Sequence, residues 1–364
     1  MNKDDSISIN LDLSRPESQI ISVRITWKPN KLKQIFSLPQ WTPGSYTIRD
    51  YSQYLYGLTF TSGSEEIMCK RLTTYSWETN LSDYSECTIS YKIIARELSV
   101  RNSFLNDQFA SLALASIVLL IEGYRDKEHL LKIDIPKKWS LNTTLPGNLI
   151  RRAIDYDELI DSPIHAGYIT NAQFNVLGYV HKLSIIGNIN TILLENFKKD
   201  IQKVCEFNCS IMGTEPPSEN HYQFNIILIE DGYGGLEHDN SCVIHYCFKK
   251  IITPSGYRKF LQLVGHEYFH QWNIRRLRPK EYIRYNYSTP VLSEGLWFAE
   301  GVTSYYDTFL PFLSSLSNEE DLYFDLSTII NRYLTTPGRY TQTLNESSIE
   351  SWIKLYKSNI TTID

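Results

Sequence analysis

The sequence predicts an α+β fold with a β-sandwich-like domain over residues 1–165 and a mainly helical domain with a small sheet over residues 166–364. Three observations lead to this prediction. A chain of 364 residues is long enough for two domains. Its first part consists of short, often alternating apolar stretches separated by Gly, Pro, Asn, Asp and Ser. After Pro163, long segments with helical spacing take over.

The N-terminal domain is predicted from segments rich in β-branched and aromatic residues. Alternation of apolar and polar residues places one face of each segment toward a core. Several short strands with turn signals between them indicate a sandwich or a barrel. The predicted strands are residues 6–13, 19–27, 34–38, 55–61, 87–95 and 130–135.

The second domain combines strands with long helices. Two apolar segments, 222–229 and 241–248, are predicted strands. Apolar residues recur at helical spacing in the remaining segments, and the last of these stops before Pro337-Gly338. The predicted helices are residues 190–210, 257–273, 292–312 and 319–334.

Charge and hydropathy limit the classes of partner. With 36 basic and 41 acidic side chains, the net charge of -5 gives no reason to expect nucleic acid or an anionic membrane surface as a partner. The longest apolar run, 110–121, is too short to cross a bilayer. Residues 1–5 are polar and unlike a signal peptide, so we expect a cytoplasmic protein with reduced cysteines.

The pentapeptide 266–270, His-Glu-Tyr-Phe-His, indicates a metal site. On a helix, His266 and His270 lie one turn apart on one face, where both can bind one ion. Glu267 beside them is placed to act as the general base on a metal-activated water.

A catalytic zinc site normally has three protein ligands, so a third must come from a later element. Glu300 lies well inside a predicted helix, whereas Glu294 falls in its first turn, where a carboxylate commonly offsets the helix dipole. Glu300 is therefore the preferred ligand. Thr303, Ser304 and Asp307 share its face and are candidate hydrogen-bond partners of a ligand histidine, although a surface role explains Asp307 equally well.

A wider set of motifs resembles the M61 glycyl aminopeptidases, a family of gluzincin metallopeptidases. Besides the two histidines and a later helix that contains Trp-x-x-Glu-Gly at residues 297–301, stretches spread along the chain match the family in order. They are residues 41–51, 97–101, 156–159, 234–238 and 270–273. The resemblance covers nearly the whole chain and implies a thermolysin-like catalytic domain.

The resemblance also implies roles for individual residues. His266, His270 and Glu300 would bind one Zn²⁺, and Glu267 would be the general base. Glu237 resembles a carboxylate near the free amine of a peptide substrate, and Gly234 and Gly235 fit close approach of a peptide. Without the resemblance, a turn or bulge with a solvated Glu237 explains this stretch better.

The implied function is a zinc-dependent aminopeptidase acting near a free N-terminus. Chains of the family continue beyond the third helix, so we expect the C-terminal part of the catalytic domain to be absent from this sequence. In the family that part supplies an oxyanion donor. Tyr305, Tyr306 and Tyr356 are candidate substitutes for that donor, but a packing role explains each of them more simply. The alternative is a truncated, weakly active or inactive module that binds zinc and peptide; a structural protein without metal fits less well.

Two further motifs are assigned no chemistry. Arg275, Arg276 and Arg278 follow the predicted zinc-binding helix, where cations offset the helix dipole or form ion pairs. Residues 41–44, Trp-Thr-Pro-Gly, are predicted to form a turn with an aromatic anchor. Oligomeric state and the preferred substrate residue do not follow from the sequence.

Overall fold

The computed structural model describes residues 6–218 and 220–358. The polar N-terminal residues 1–5 and the end of the chain from residue 359, which entered the sequence analysis, lie outside the described residues. Contacts divide the chain into two compact units. The first comprises Met1–Thr42 and Arg49–Ile169, and the second comprises Pro43–Ile48 and Thr170–Asp364.

The first unit is built from β-strands with a few short helices. Its 3-10 helices are Pro16–Ser18, Tyr51–Tyr54 and Leu114–Ser116, and its α-helix is α1 (Tyr156–Ile160). Its strands are β1 (Ile7–Asp12), β2 (Ile20–Trp27), β3 (Lys33–Ser37), β4 (Leu55–Ser62), β5 (Glu65–Glu66), β6 (Lys70–Arg71), β7 (Ser76–Asn80), β8 (Cys87–Ile94), β9 (Phe104–Leu105), β10 (Phe109–Leu112), β11 (Leu120–Ile121), β12 (His129–Asp134), β13 (Ser140–Asn142), β14 (Arg151–Ala153) and β15 (Ile164–Gly167).

These strands form three sheets. The largest has the order β14-β12-β1-β2-β8-β4-β5, and the two four-stranded sheets have the orders β13-β15-β10-β9 and β11-β3-β7-β6. Alternation sets the buried face: Ile7, Ile9 and Leu11 of β1 are buried, while the residues between them are more exposed. The strand-rich N-terminal part predicted from the sequence is confirmed.

The second unit combines one sheet with six α-helices among its described residues. The sheet has the order β16-β17-β18-β20-β19, with β19 at one edge. The 3-10 helices are Lys280–Tyr282 and Pro337–Tyr340. The strands are β16 (Ile169–Val176), β17 (Tyr179–Ile186), β18 (Tyr222–Ile229), β19 (Tyr233–Glu237) and β20 (Ser241–Cys247), and the α-helices are α2 (Thr191–Met212), α3 (Phe248–Ile251), α4 (Pro254–Phe269), α5 (Leu296–Leu313), α6 (Glu319–Thr335) and α7 (Leu344–Glu350).

The core of this unit lies where α2 and α4 pack on the sheet. Strand β18 pairs in parallel with β17 and β20 and is buried along most of its length, as expected for a central strand with both faces covered. Phe197 of α2 stacks on Phe260 of α4 with ring centroids 4.7 Å apart. The core therefore fixes α4, which contains His266 and ends directly before His270, against the sheet.

Helix α4 starts at Pro254, before the predicted residue 257, and ends at Phe269, before the predicted residue 273. Thr253 caps its N-terminus and accepts a hydrogen bond from the Gly256 amide, with Pro254 in the first turn. At the other end, the prediction that the helix extends to residue 273 is wrong. Ile274 has a φ of 88°, and the Arg275 amide donates to the His270 carbonyl, so the chain turns away after Phe269.

Helix α5 starts at Leu296, so the predicted start at residue 292 is also wrong. Gly295 is its N-cap, and Glu294 consequently lies before the helix and not in its first turn. The predicted α+β fold, with a sheet-rich part followed by a mainly helical part, is confirmed. None of the helices in residues 6–218 and 220–358 is long and apolar enough to cross a bilayer.

Candidate metal centre and active site

His266 lies in the last turn of α4 and His270 is the C-cap residue of that helix. In each imidazole, Nδ1 contacts a supporting oxygen and Nε2 lies near Glu300. His266 Nδ1 lies 2.7 Å from Asp307 Oδ2, and His270 Nδ1 lies 3.0 Å from the Asn273 carbonyl oxygen. In the neutral tautomers in which both Nδ1–H groups donate, each Nε2 carries the lone pair that can bind a metal ion. The Nε2 atoms lie 3.6 Å (His266) and 3.8 Å (His270) from Glu300 Oε2.

These distances fit one metal ion. With Zn–N and Zn–O bonds of roughly 2.1 Å, tetrahedral ligand atoms lie about 3.4 Å apart. Each of His266, His270 and Glu300 offers one ligand atom, and the three atoms lie within 4.8 Å of one another. Two imidazoles and one carboxylate are a donor set that zinc accepts in hydrolytic sites. The residues present therefore fit a zinc ion.

Packing of α5 on the end of α4 brings Glu300 to the histidines. The Asn273 amide donates to the carbonyls of Phe298 and Ala299 at 3.0 Å each. Glu294 instead accepts a hydrogen bond from Asn345. The geometry thus places Glu300, and not Glu294, beside the imidazole pair.

Asp307 lies on the same face of α5 as Glu300 and hydrogen-bonds to His266. This is one of the two roles considered for Asp307 from its spacing in the sequence. Burial alone would lower the pKa of His266, but hydrogen bonds to Asp307 and Glu300 raise it well above its usual value. For His270, burial first and then the neighbouring His266 lower the pKa to about 4. The imidazole of His270 is therefore neutral at physiological pH, the form in which a histidine can bind a metal ion.

The carboxylate of Glu267 lies against the backbone of β19. A Cβ atom at Gly235 would be 1.8 Å from Glu267 Oε1 and 2.3 Å from its Cδ. A side chain at position 235 would displace the Glu267 carboxylate, so glycine at this position lets the carboxylate lie where it does. Gly234 precedes it on the same edge strand and is half-buried.

Glu237 ends β19 and is buried, with 4% of its surface exposed. Its Oε1 atom is buried and has no hydrogen-bond partner among the described residues. Burial, followed by the nearby charge of Glu300, raises the pKa of this carboxyl. The interpretation of Glu237 as a solvated turn residue is wrong, because the residue pairs with Cys242 of β20.

A second group of potential ligands overlaps the first. Glu237, Glu267 and His270 also offer atoms within 4.8 Å of one another. His270 has only its Nε2 lone pair available, because Nδ1 donates to Asn273, so it can serve one ion at a time. Only the first group leaves Glu267 available as a base.

The basic residues after α4 form ion pairs. Arg275 Nε lies 2.6 Å from Asp239 Oδ1, and Arg278 approaches the same oxygen at 3.2 Å. Asp239 follows Glu237 by two residues, so this cluster ties the segment after α4 to the loop after β19. This agrees with the ion-pairing role considered from the sequence.

Sequence reasoning assigned no chemistry to residues 41–44, yet Gly44 lies at the site. A Cβ atom there would be 2.4 Å from Glu237 Oε2. Tyr46, two residues later, is fully buried. The Pro-Gly-Ser-Tyr sequence contained only a turn signal, and no local pattern linked it to a site in the second half of the chain.

The paired histidines, the glutamate between them and a glutamate from the following helix define an HExxH metallopeptidase scaffold. The chain belongs to the M61 peptidase family. Its residues 8–168 match the Peptidase M61 N-terminal domain, and residues 259–364 match the M61 glycyl aminopeptidase model.

Solved structures share this fold. A crystal structure of an aminopeptidase N family protein from Idiomarina loihiensis is 30% identical with a TM-score of 0.93, over 98% of this chain and 63% of that one. This chain thus spans less than two thirds of that relative. An M1 zinc metallopeptidase from Deinococcus radiodurans is 9% identical with a TM-score of 0.54, over 96% of this chain and 78% of that one, and shows a shared fold alone. A comparison with curated proteins gave no match.

Proposed function

We propose that this protein is a zinc-dependent aminopeptidase that hydrolyses peptide bonds near a free N-terminus. The observation that carries the proposal is the convergence of His266, His270 and Glu300, with Glu267 beside them and the buried carboxylate of Glu237 nearby. The M61 glycyl aminopeptidase match supports a peptidase, and peptides with N-terminal glycine or alanine are the first substrates to test.

His266, His270 and Glu300 would hold the zinc ion. When bound, such an ion polarises a carbonyl and lowers the pKa of its water to near neutrality. Asp307 and the Asn273 carbonyl orient the two imidazoles, since each accepts a hydrogen bond from an Nδ1–H. These contacts keep the donor set in place between turnovers.

Glu267 would act as the general base. It would take a proton from the attacking water and pass it to the leaving amine as the peptide bond breaks. Gly235 allows its carboxylate to lie against the backbone of β19. Glu237 would bind the ammonium group of the substrate, which offsets the cost of a buried carboxylate without a hydrogen-bond partner at Oε1. A free N-terminus would then be required.

The test is hydrolysis of glycine and alanine 4-nitroanilides, with and without a chelator, alongside metal analysis. The N-acetylated glycine substrate is the matched control and should not be cleaved. Glu267→Gln should retain zinc and lose turnover, since the amide cannot accept the proton. Turnover that survives either chelation or this substitution would refute the proposal. Zinc bound without turnover in the wild type would favour the alternative of a zinc- and peptide-binding module.

A further inference from the structure

The strands β19 and β20 are joined by a tight hairpin loop close to Glu237. The His238 amide donates to the Ser241 carbonyl at 2.9 Å, so the loop consists of Asp239 and Asn240 alone. Loops this short fix the register of the strands that they join. Glu237 lies two residues before Asp239. Contacts that hold the loop therefore also fix the carboxylate that would bind the substrate amine.

Three arginines from the segment after α4 hold this loop. Arg275 Nε lies 2.6 Å from Asp239 Oδ1, and Arg278 Nη2 lies 3.2 Å from the same oxygen. Arg276 Nη1 donates to the Asp239 carbonyl oxygen at 2.7 Å. Arg275 is buried, with 5% of its surface exposed, and a buried guanidinium is costly unless it is paired. Asp239 and Arg275 therefore hold each other in place.

The same segment also supports the metal ligands. His270 Nδ1 lies 3.0 Å from the Asn273 carbonyl oxygen. The side-chain amide of Asn273 donates to the Ala299 carbonyl of α5 at 3.0 Å, directly before Glu300. Residues 270–278 therefore connect the metal ligands with the hairpin that carries the amine-binding carboxylate.

An aminopeptidase has to hold its substrate at two points with a fixed separation. The ammonium group would bind at Glu237, and the carbonyl that is attacked would lie at the metal ligands. The segment Pro43–Ile48 also confines this carboxylate, because a Cβ atom at Gly44 would lie 2.4 Å from Glu237 Oε2. In an α-amino residue the amine and the carbonyl are attached to the same carbon atom. A misplacement of about 1 Å between the two binding points costs on the order of 10²-fold in rate.

We propose that Asp239 is a positioning residue that, through its ion pair with Arg275, sets the distance between Glu237 and the metal ligands. The protein would then prefer α-amino substrates over β-amino substrates, whose nitrogen lies one carbon atom farther from the scissile carbonyl. Asp239 would act through the hairpin and not on the substrate itself. The proposal rests on the aminopeptidase function proposed above.

The test compares two substrates of different length, glycine 4-nitroanilide and β-alanine 4-nitroanilide. The wild type should prefer the glycine substrate. In Asp239→Ala, kcat/KM for the glycine substrate should fall by about 10–100-fold, because Glu237 is no longer held at the required distance. The value for the β-alanine substrate should fall much less, so that the preference narrows by about tenfold or more. A general loss of stability would lower both values by the same factor.

Two further variants are the controls. Asp239→Asn keeps an oxygen that can accept a hydrogen bond from Arg275, so it should retain more of the preference than Asp239→Ala. Asp231→Ala removes an exposed carboxylate before the other end of β19 and should behave like the wild type. Zinc content and urea unfolding are measured for every variant. If Asp239→Ala does not fold, the narrowed preference is measured in Asp239→Asn.

A binding measurement does not depend on turnover. Glycine hydroxamate joins an amine to a metal-binding group with the spacing of the glycine substrate, and β-alanine hydroxamate is longer by one methylene group. In calorimetry on the zinc-loaded protein, Asp239→Ala should lose more affinity for glycine hydroxamate than for β-alanine hydroxamate.

The outcomes separate this proposal from the peptidase proposal. Equal losses on both substrates in a folded, zinc-loaded Asp239→Ala, no loss at all, or a wild type without preference for glycine would overturn the role of Asp239 alone. A wild type that cleaves neither substrate would refute the peptidase proposal. The hydroxamate affinities would then decide on Asp239, and a wild type that binds neither hydroxamate would overturn its role as well.

Discussion

Replacing Gly235 with Ala should impair catalysis while leaving the fold and the metal site intact. The added Cβ atom would be 1.8 Å from Glu267 Oε1, 2.3 Å from Cδ and 2.7 Å from Cγ. Non-bonded carbon and oxygen atoms need roughly 3.3 Å or more, so the carboxylate must retreat by about 1.5 Å. A displacement of that size at a general base costs about 10²-fold in rate or more, equivalent to roughly 3 kcal/mol.

The same geometry predicts little loss of stability. The atoms in conflict belong to the end of a flexible side chain, which can rotate away without moving the backbone. Gly235 also has no left-handed φ that alanine would strain. The free energy of unfolding should therefore change by less than about 1 kcal/mol, within the usual range for Gly→Ala replacements at compatible positions.

The assay is kcat on glycine 4-nitroanilide, measured together with zinc content and urea unfolding. Gly301→Ala is the matched control, because nothing lies within 4 Å of the Cβ atom that it adds to α5. It should keep the activity and stabilise the helix by about 0.5–1 kcal/mol. The reasoning is refuted if Gly235→Ala keeps the wild-type kcat, or if its lost activity is explained by unfolding or lost zinc.

Two further predictions concern the support of the site and of its helix. Asp307→Asn should weaken zinc binding about 10–100-fold in a chelator competition, because a neutral amide replaces the carboxylate 2.7 Å from His266 Nδ1. The surface variant Glu320→Gln is the control, and equal zinc affinity of the two variants would contradict this prediction. Burial lowers the pKa of His181, whose Nε2 lies 2.8 Å from the Tyr268 hydroxyl, to about 4. Its neutral form therefore stabilises the fold fully above pH 6.5, and the metal-free protein should lose up to about 3 kcal/mol as pH falls from about 6.5 to 4. Urea unfolding should show a shallower loss with acid in His181→Gln, and an unchanged slope would contradict the assignment.

The features that the sequence could predict are those that depend on local geometry. The spacing of His266 and His270 defines a helix face whatever packs around it, and the position of Glu300 inside α5 is equally local. The ends of the helices were less predictable. The apolar pattern continues to Trp272, but the helix stops at Phe269, because an isoleucine with positive φ and a hydrogen bond from Arg275 to His270 reverse the chain.

The features that could not be predicted depend on pairing between distant segments. Tyr233–Glu237 contains two glycines, which disfavour a strand, yet it forms β19 because β20 supplies its hydrogen-bond partners. A local feature also escaped prediction: the neighbouring strands β16 and β17 are joined at Leu177-Gly178, both with positive φ, where the sequence has no Asn-Gly to indicate a hairpin. Gly44 reaches Glu237 only after the chain has folded, so no periodicity in the sequence connects the two.

The composition of the second unit has a practical consequence for dissecting this protein. A fragment beginning at Thr170 would retain the histidines, Glu267 and Glu300, but it would lack Gly44 and Tyr46. Tyr282 and Trp352 would lose the ring that packs between them, and their apolar surface would be open to solvent. The segment also joins its partners across a long stretch of intervening chain, and closing such a loop is entropically costly and slow. A peptide of residues 43–48 could be added to this fragment in trans. Its affinity for the fragment would measure how strongly the segment binds when no loop has to be closed.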